Sequence, residues 1–424
     1  MHYLLMAWYL LGPIAVLIVA AVRAKRMRRS GPIVGYTMTG LSAALIATAI
    51  IFIYAQATGA RWLWGQWGMA VYFSLGLLLL LKGLDGALKR GAKWLSTRSS
   101  DDPTQPARPW LRYTAAIGRV VLLFAIGLPY VMATIMTYRP KVLPVQTPNR
   151  PFEVVQFQAD DGTDLVGWWI PATPQPAGDS LPVWGRRTIL VCHGLAGNKS
   201  NHLELAEYAL DYGYNLFIFD FRAHGESGGQ LTTFGDRERL DVLAAVRWIQ
   251  QNRADESRQL FGVGASMGAA ALIAAAADPS PQGQAIDAVV VYGTYADLGD
   301  LASLVADNHF IRPLNWLVRY VAVPMAEVQT NRDLSAFAPA GLIATIWPRP
   351  VMIVHGLRDE IIPFTQGEAL FNAAVPPRRS LWVERAGHND VYRDRDVRNA
   401  VLNFFDLAKP VPVVQRDLQP TSAG

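Results

Sequence analysis

Residues 259–276, Gln-Leu-Phe-Gly-Val-Gly-Ala-Ser-Met-Gly-Ala-Ala-Ala-Leu-Ile-Ala-Ala-Ala, decide the reading of this chain. QLFGV is an apolar run of strand length, and the alanine-rich run after Met267 has the composition of a helix. Between them stands Gly264-Ala265-Ser266-Met267-Gly268. Glycines on either side let the chain turn sharply and approach its neighbours. The turn leaves the Ser266 hydroxyl exposed at a helix N-terminus, whose dipole favours a developing anion. The spacing GxSxG in a strand–turn–helix setting predicts a nucleophile elbow.

The same alternation extends outward. Strands are predicted at 152–157, 164–170, 188–192, 215–219, 259–263, 288–292, 350–354 and 380–384. Helices are predicted near 201–213, 236–252, 267–277, 365–374 and 394–407. Runs such as TILVC, LFIF, AVVVY and VMIV carry no polar alternation, which fits parallel strands buried on both faces. The expectation is an α/β domain of three layers over residues 141–410. Residues 411–424 read as a flexible tail.

Ligands of such sheets sit beyond the C-terminal ends of the strands, and the unusual polar residues fall there. Cys192-His193-Gly194-Leu195-Ala196-Gly197 follows TILV. Gly194 leaves room beside the serine, and the N–H groups of Leu195 and Met267 are placed to bind an oxyanion. His193 reads as structural or substrate-lining. Asp359 follows VMIV, and His388 follows SLWVE. A serine hydroxyl needs a neutral imidazole to take its proton, and the imidazole needs a carboxylate to fix its tautomer. The order Ser266, Asp359, His388 suits that chemistry. Glu360 and Asp390 are the rival carboxylates, and His224 is the rival base. In Asp220-Phe221-Arg222-Ala223-His224-Gly225-Glu226, an Asp220–Arg222 or Arg222–Glu226 contact is expected to hold the loop near the site. Trp168 and Trp169 read as sheet-face residues rather than as rim. No HxxxH, HxH, Walker or dinucleotide motif occurs, so no metal or cofactor is expected.

The N-terminal third is different. The chain has 424 residues, 51% of them apolar and 17% charged, with a net charge of +5. Residues 1–140 hold 15 Lys+Arg against 3 Asp+Glu, whereas residues 141–424 hold 24 against 31. The basic residues flank apolar runs at 4–22, 33–57, 62–81 and 113–137. These lengths suffice to cross a hydrocarbon core. An all-α transmembrane region of about four helices is therefore expected over 1–140, with the lipid bilayer as partner and no nucleic acid. The connections after the first and third runs are the basic ones. They stay in the cytoplasm and place the C-terminal domain in the periplasm or cell exterior of an inner or plasma membrane. If the fourth run does not span, that domain is cytoplasmic. Cys192 is the single cysteine, which leaves no disulfide framework.

These motifs resemble the α/β-hydrolase superfamily. GxSxG, the His-Gly pair, the DxRxxGxS-like turn, HGxxD and the final Gly-His all appear in order over residues 150–410. Within it the chain is similar to BEM46-like, ABHD-type serine hydrolases. The resemblance implies a mostly parallel eight-stranded sheet with helices on both faces. It implies Ser266 as nucleophile, Asp359 as acid, His388 as base and Leu195 and Met267 as oxyanion donors. It also implies hydrolysis of a carboxylic ester or thioester through an acyl-serine, with no cofactor. A peptidase or amidase of the same fold remains the alternative, as does a non-catalytic membrane sensor or transport-associated module. One departure is Ala223-His224, where relatives often carry a glycine after the arginine. Residues 295–347 read as a short apolar cap or as ordinary helices over the sheet.

Overall fold

A computed structural model describes residues 128–138, 141–172, 186–310 and 314–408, with isolated positions 91, 125 and 312. The first three apolar runs, most of the fourth and the 411–424 tail lie outside the described residues. Among those described, no helix is long and apolar enough to cross a membrane.

Eight strands form one sheet. They are β1 (Glu153–Gln158), β2 (Asp164–Ile170), β3 (Arg187–Cys192), β4 (Tyr214–Asp220), β5 (Gln259–Ala265), β6 (Ala288–Tyr292), β7 (Val351–Gly356) and β8 (Arg378–Val383). Their order across the sheet is β1-β2-β4-β3-β5-β6-β7-β8. The β1–β2 and β2–β4 pairs are antiparallel and all the others are parallel. Each predicted strand is present to within about two residues, a normal margin for strand ends.

Continuous apolar runs work here because successive side chains alternate between two buried faces. On β4, Phe217 and Phe219 enter one core while Leu216 and Ile218 enter the other. The Phe217–Phe219 face is covered by α3 (Glu238–Asn252), α4 (Met267–Ala276) and α10 (Phe364–Ala373), whose apolar residues join that core. The opposite face is covered by α2 (Leu203–Leu210) and α11 (Arg395–Leu407). Trp168 and Trp169 are buried on opposite faces of β2, as sheet-face residues.

Between β6 and β7 the chain leaves the sheet. It forms α6 (Leu298–His309), α7 (Leu314–Leu317), a π-helical turn (Val318–Ala322), α8 (Val323–Thr330) and α9 (Pro339–Ile343). The short α5 (Pro281–Gln284) lies earlier, before β6. Helix α1 (Leu128–Thr137) is the end of the fourth apolar run. It packs on protein: Ala133 is buried with Ala270 and Ala274 of α4, Ala326 of α8, and Tyr295, Phe337 and Ile362. Accordingly, the compact C-terminal unit starts at Pro129, upstream of the position 141 expected from the change in composition.

Candidate active site

Strand register puts the polar loops on one edge. Cys192 is level with Phe219 and with Gly264, Ala265 with Tyr292, Tyr292 with Val354, and Gly356 with Val383. Parallel strands in register must send their C-terminal connections out of the same side, so residues 193, 220, 266, 293, 359 and 388 all follow strand ends there.

Ser266 joins β5 to α4 with φ 52° and ψ −122°. That left-handed conformation costs a residue with a β-carbon about 1–3 kcal/mol and persists only when neighbours hold it. Here the Ser266 N–H donates to Tyr292 O (2.9 Å), and the Thr294 hydroxyl donates to Ser266 O (2.8 Å). The flanking glycines are fixed by space. A β-carbon on Gly268 would lie 2.3 Å from His193 O, and one on Gly264 would lie 2.6 Å from Ala269 Cα. Helix α4 can therefore press its first turn onto the end of β3.

His388 Nδ1 lies 2.7 Å from Asp359 Oδ2. The other carboxylate oxygen accepts the N–H groups of Ile361 (2.9 Å) and Ile362 (2.8 Å). With Asp359 acting as acceptor throughout, Nδ1 carries the proton and Nε2 has its lone pair free. Gly293 ties this pair to the serine. The site of its absent β-carbon is 3.2 Å from Asp359 Oδ2 and 3.4 Å from His388 Nδ1, and its neighbours Tyr292 and Thr294 hold the Ser266 backbone. Among the described residues the Ser266 hydroxyl makes no hydrogen bond, so the imidazole is joined to Asp359 but not to the serine. Such contacts often close only with substrate present. Of the rival carboxylates, Glu360 is exposed, and Asp390 accepts the Gly387 N–H (2.6 Å).

Gly194 faces Ser266, since its β-carbon would lie 3.3 Å from Ser266 Cβ. Leu195 is the next residue, and Met267 opens α4, where first-turn N–H groups lack intrahelical acceptors. His193 does not line the site. It is fully buried, its Nε2 accepts the Phe221 N–H (3.1 Å), and its Nδ1 pairs with Gly194 O (2.8 Å). His224 is likewise committed: Nδ1 pairs with Arg222 O (2.7 Å), and Nε2 accepts the Ala196 N–H (3.1 Å). Both imidazoles staple the loop after β3 to the loop after β4, and neither is available as base. Ala223 takes φ +60°, a left-handed conformation that explains why glycine suits this position and what alanine costs there.

The expected Asp220–Arg222 and Arg222–Glu226 contacts do not form. Arg222 instead chelates Asp241 (2.6–3.1 Å) and also reaches Asp161 (2.6 Å), which holds the Asp161 carboxyl down at about 2 against the opposing effect of burial. Asp220 belongs to Lys199, which the sequence reading did not single out. The Lys199 ammonium, fully buried, lies 2.6 Å from Asp220 Oδ2 and 2.5 Å from Glu226 Oε2, and the Lys199 N–H donates to Asp220 Oδ1 (2.6 Å). Beneath Asp359, His355 is buried with Nε2 on Ile362 O (3.0 Å) and 3.5 Å from Asp359 Oδ2. Its place in the same His-Gly-Leu-Arg-Asp motif is a signal that could have marked it. Among the described residues no group of His, Cys, Asp and Glu is placed to hold a metal.

Burial holds several imidazoles neutral. It pushes His193 well below the usual range with help from His224, lowers His355, and lowers His202 to about 4. An unfolded chain takes up these protons below about pH 6.5, whereas the folded one refuses them. Stability is then complete above that pH and falls as the pH drops toward 4. The expected slope is about 1.4 kcal/mol per pH unit for each such imidazole. Urea unfolding of detergent-solubilised protein at pH 7.5, 6.5 and 5.5 measures it, and His202→Gln should remove one such increment. An unchanged slope in that variant would contradict the assignment.

The comparisons agree with this geometry. A family model described as "Serine aminopeptidase, S33" matches residues 185–338. The uncharacterised protein YfhR of Escherichia coli O157:H7 is 29% identical over 256 residues, which is 60% of this chain and 80% of that protein. Human alpha/beta hydrolase domain-containing protein 17B is 57% identical over a 42-residue stretch, 10% of this chain and 15% of its own length. Among solved structures, the Pyrococcus furiosus esterase Pf2001 superposes with a TM-score of 0.50 at 25% identity, covering 63% of this chain and 98% of the esterase. Sheet order, strand-end loops and these similarities together give the chain the α/β-hydrolase fold.

Proposed function

We propose that the protein is a membrane-anchored serine hydrolase that cleaves a carboxylic ester or thioester of an acyl substrate. One observation carries the reading: an imidazole held on a buried carboxylate by a 2.7 Å contact shares a sheet edge with a serine strained to φ +52°. In the proposed reaction His388 Nε2 takes the Ser266 proton as Oγ attacks the acyl carbon. Asp359 steadies the imidazolium through Nδ1–H, and the N–H groups of Leu195 and Met267 receive the oxyanion. The proton then passes to the departing alkoxide or thiolate. Water, activated by the same imidazole, releases the acid and restores the serine. Anchoring is supported by the apolar runs and their basic flanks.

The aminopeptidase description of the matching family model favours a second reading, cleavage of an aminoacyl amide. Purified protein assayed on p-nitrophenyl acyl esters, acyl thioesters and aminoacyl p-nitroanilides separates the two. The ester or thioester is expected to lead in kcat/KM by about 100-fold or more, the discrimination that differential transition-state binding can supply. A lead for the anilide would transfer the assignment to the peptidase reading.

A further inference from the structure

Residues 314–330 run through α7, the π-turn and α8 as one continuous helix. Its inner face is buried through Val318, Ala322, Val323, Ala326 and Thr330. An ordinary surface helix would be polar on the other face. Here that face carries Trp316, Tyr320, Pro324 and Val328, spaced by four and all exposed. Trp316, Tyr320 and Val328 are 56%, 61% and 83% exposed, and the two rings lie 5.6 Å apart. A stripe of this kind marks a contact with something.

The chain itself indicates what covers it. Gln329, next to Val328, is clasped by α1: its amide donates to the Thr134 hydroxyl (3.0 Å), and its carbonyl accepts from the Thr137 hydroxyl (3.0 Å). Ala133 of α1 packs in one cluster with Ala326. Helix α1 is the end of the fourth apolar run, and in the sequence the runs at 4–22, 33–57 and 62–81 precede it. The chain of lipid-spanning length is thus tied to the very helix that bears the stripe. Tryptophan and tyrosine are the residues that settle at a membrane–water boundary. Arg312, exposed one turn before Trp316, suits an anionic headgroup.

We propose that the outer face of helix 314–330 lies in the bilayer interface, with lipid as its occupant; this rests on the membrane-anchored part of the reading above. The single cysteine, Cys192, is buried, so thiols introduced as Trp316→Cys, Tyr320→Cys and Val328→Cys can be labelled selectively with a fluorophore. Asp255→Cys, on an exposed turn, serves as the reference. Full-length protein is reconstituted in phosphatidylcholine–phosphatidylglycerol vesicles. Labels on the stripe should be quenched by brominated lipid and be severalfold less sensitive to aqueous iodide than the reference. Iodide quenching equal to the reference, in protein that resists alkaline carbonate extraction, would overturn the interfacial contact and leave the anchor standing. Protection from both quenchers would mean that protein, such as a second copy, covers the stripe, and would overturn it too. Release of the chain by carbonate would end the anchor and the interfacial contact together.

Discussion

Ser266→Ala is expected to lower kcat on an acyl ester by roughly 10⁵-fold while the protein stays folded. The loss is large because in the proposed reaction the hydroxyl oxygen forms the covalent bond. Water held by the same imidazole recovers little, since the acyl carbon is then approached by a molecule with no fixed orientation. The fold should tolerate the change. Among the described residues the hydroxyl makes no hydrogen bond, and the backbone contacts to Tyr292 and Thr294 do not involve it. Alanine also keeps the β-carbon that the φ of 52° already accommodates. Adding His388→Ala to Ser266→Ala should cost almost nothing more, because residues that act as a unit are not additive. Steady-state turnover with matched circular dichroism decides the matter. Wild-type kcat in folded Ser266→Ala protein would remove the serine from the mechanism.

Lys199→Met should have the largest effect on stability, about 3–5 kcal/mol, by stranding Asp220 as a buried charge. The Lys199 and Asp220 side chains are both fully buried. The ammonium also faces the Trp168 ring at 4.9 Å, which methionine would pack against without replacing the charge. For a domain of this size the loss corresponds to a fall of about 10 °C in Tm. The double variant Lys199→Met/Asp220→Asn should recover part of it, because the stranded charge is then gone, although the single amide oxygen can accept from only one of the two backbone N–H groups, Lys199 on Oδ1 or Glu226 on Oδ2, that the carboxylate served. A single variant that melts within a degree of wild type would show that the pair contributes little.

The sheet was readable from sequence because its interior strands are buried on both faces. Periodicity then collapses into short apolar runs such as LFIF and AVVVY. Ser266 and Asp359 stood out for the same reason, since they follow the buried strands β5 and β7, whereas His388 follows the partly exposed edge strand β8. Ion-pair partners were not readable. Arg222 pairs with Asp241 and Asp161, and Asp220 with Lys199, across 19 to 61 positions of chain. Local spacing favours the near neighbour, whereas the packing of α3 and of the loop after β3 supplies the actual one. His193 was ambiguous because a histidine beside a catalytic loop looks the same in sequence whether its nitrogens are free or bonded. Where α1 packs was not readable for a related reason. An apolar helix dissolves equally well in lipid and in a protein core, and only its neighbours Ala270, Ala274 and Ala326 distinguish the two.

That helix also ends two contacts away from the turn that carries Ser266. The carbonyl of Thr137 accepts the Thr232 N–H (2.8 Å), and the Thr232 hydroxyl reaches Met267 Sδ (3.3 Å), one residue from Ser266. Severing the polypeptide at Lys141 would therefore do more than part the sheet from the residues before it. It would pull a strut from beside the turn that carries Ser266, so the shortest self-sufficient folded fragment has to carry α1 along with the sheet.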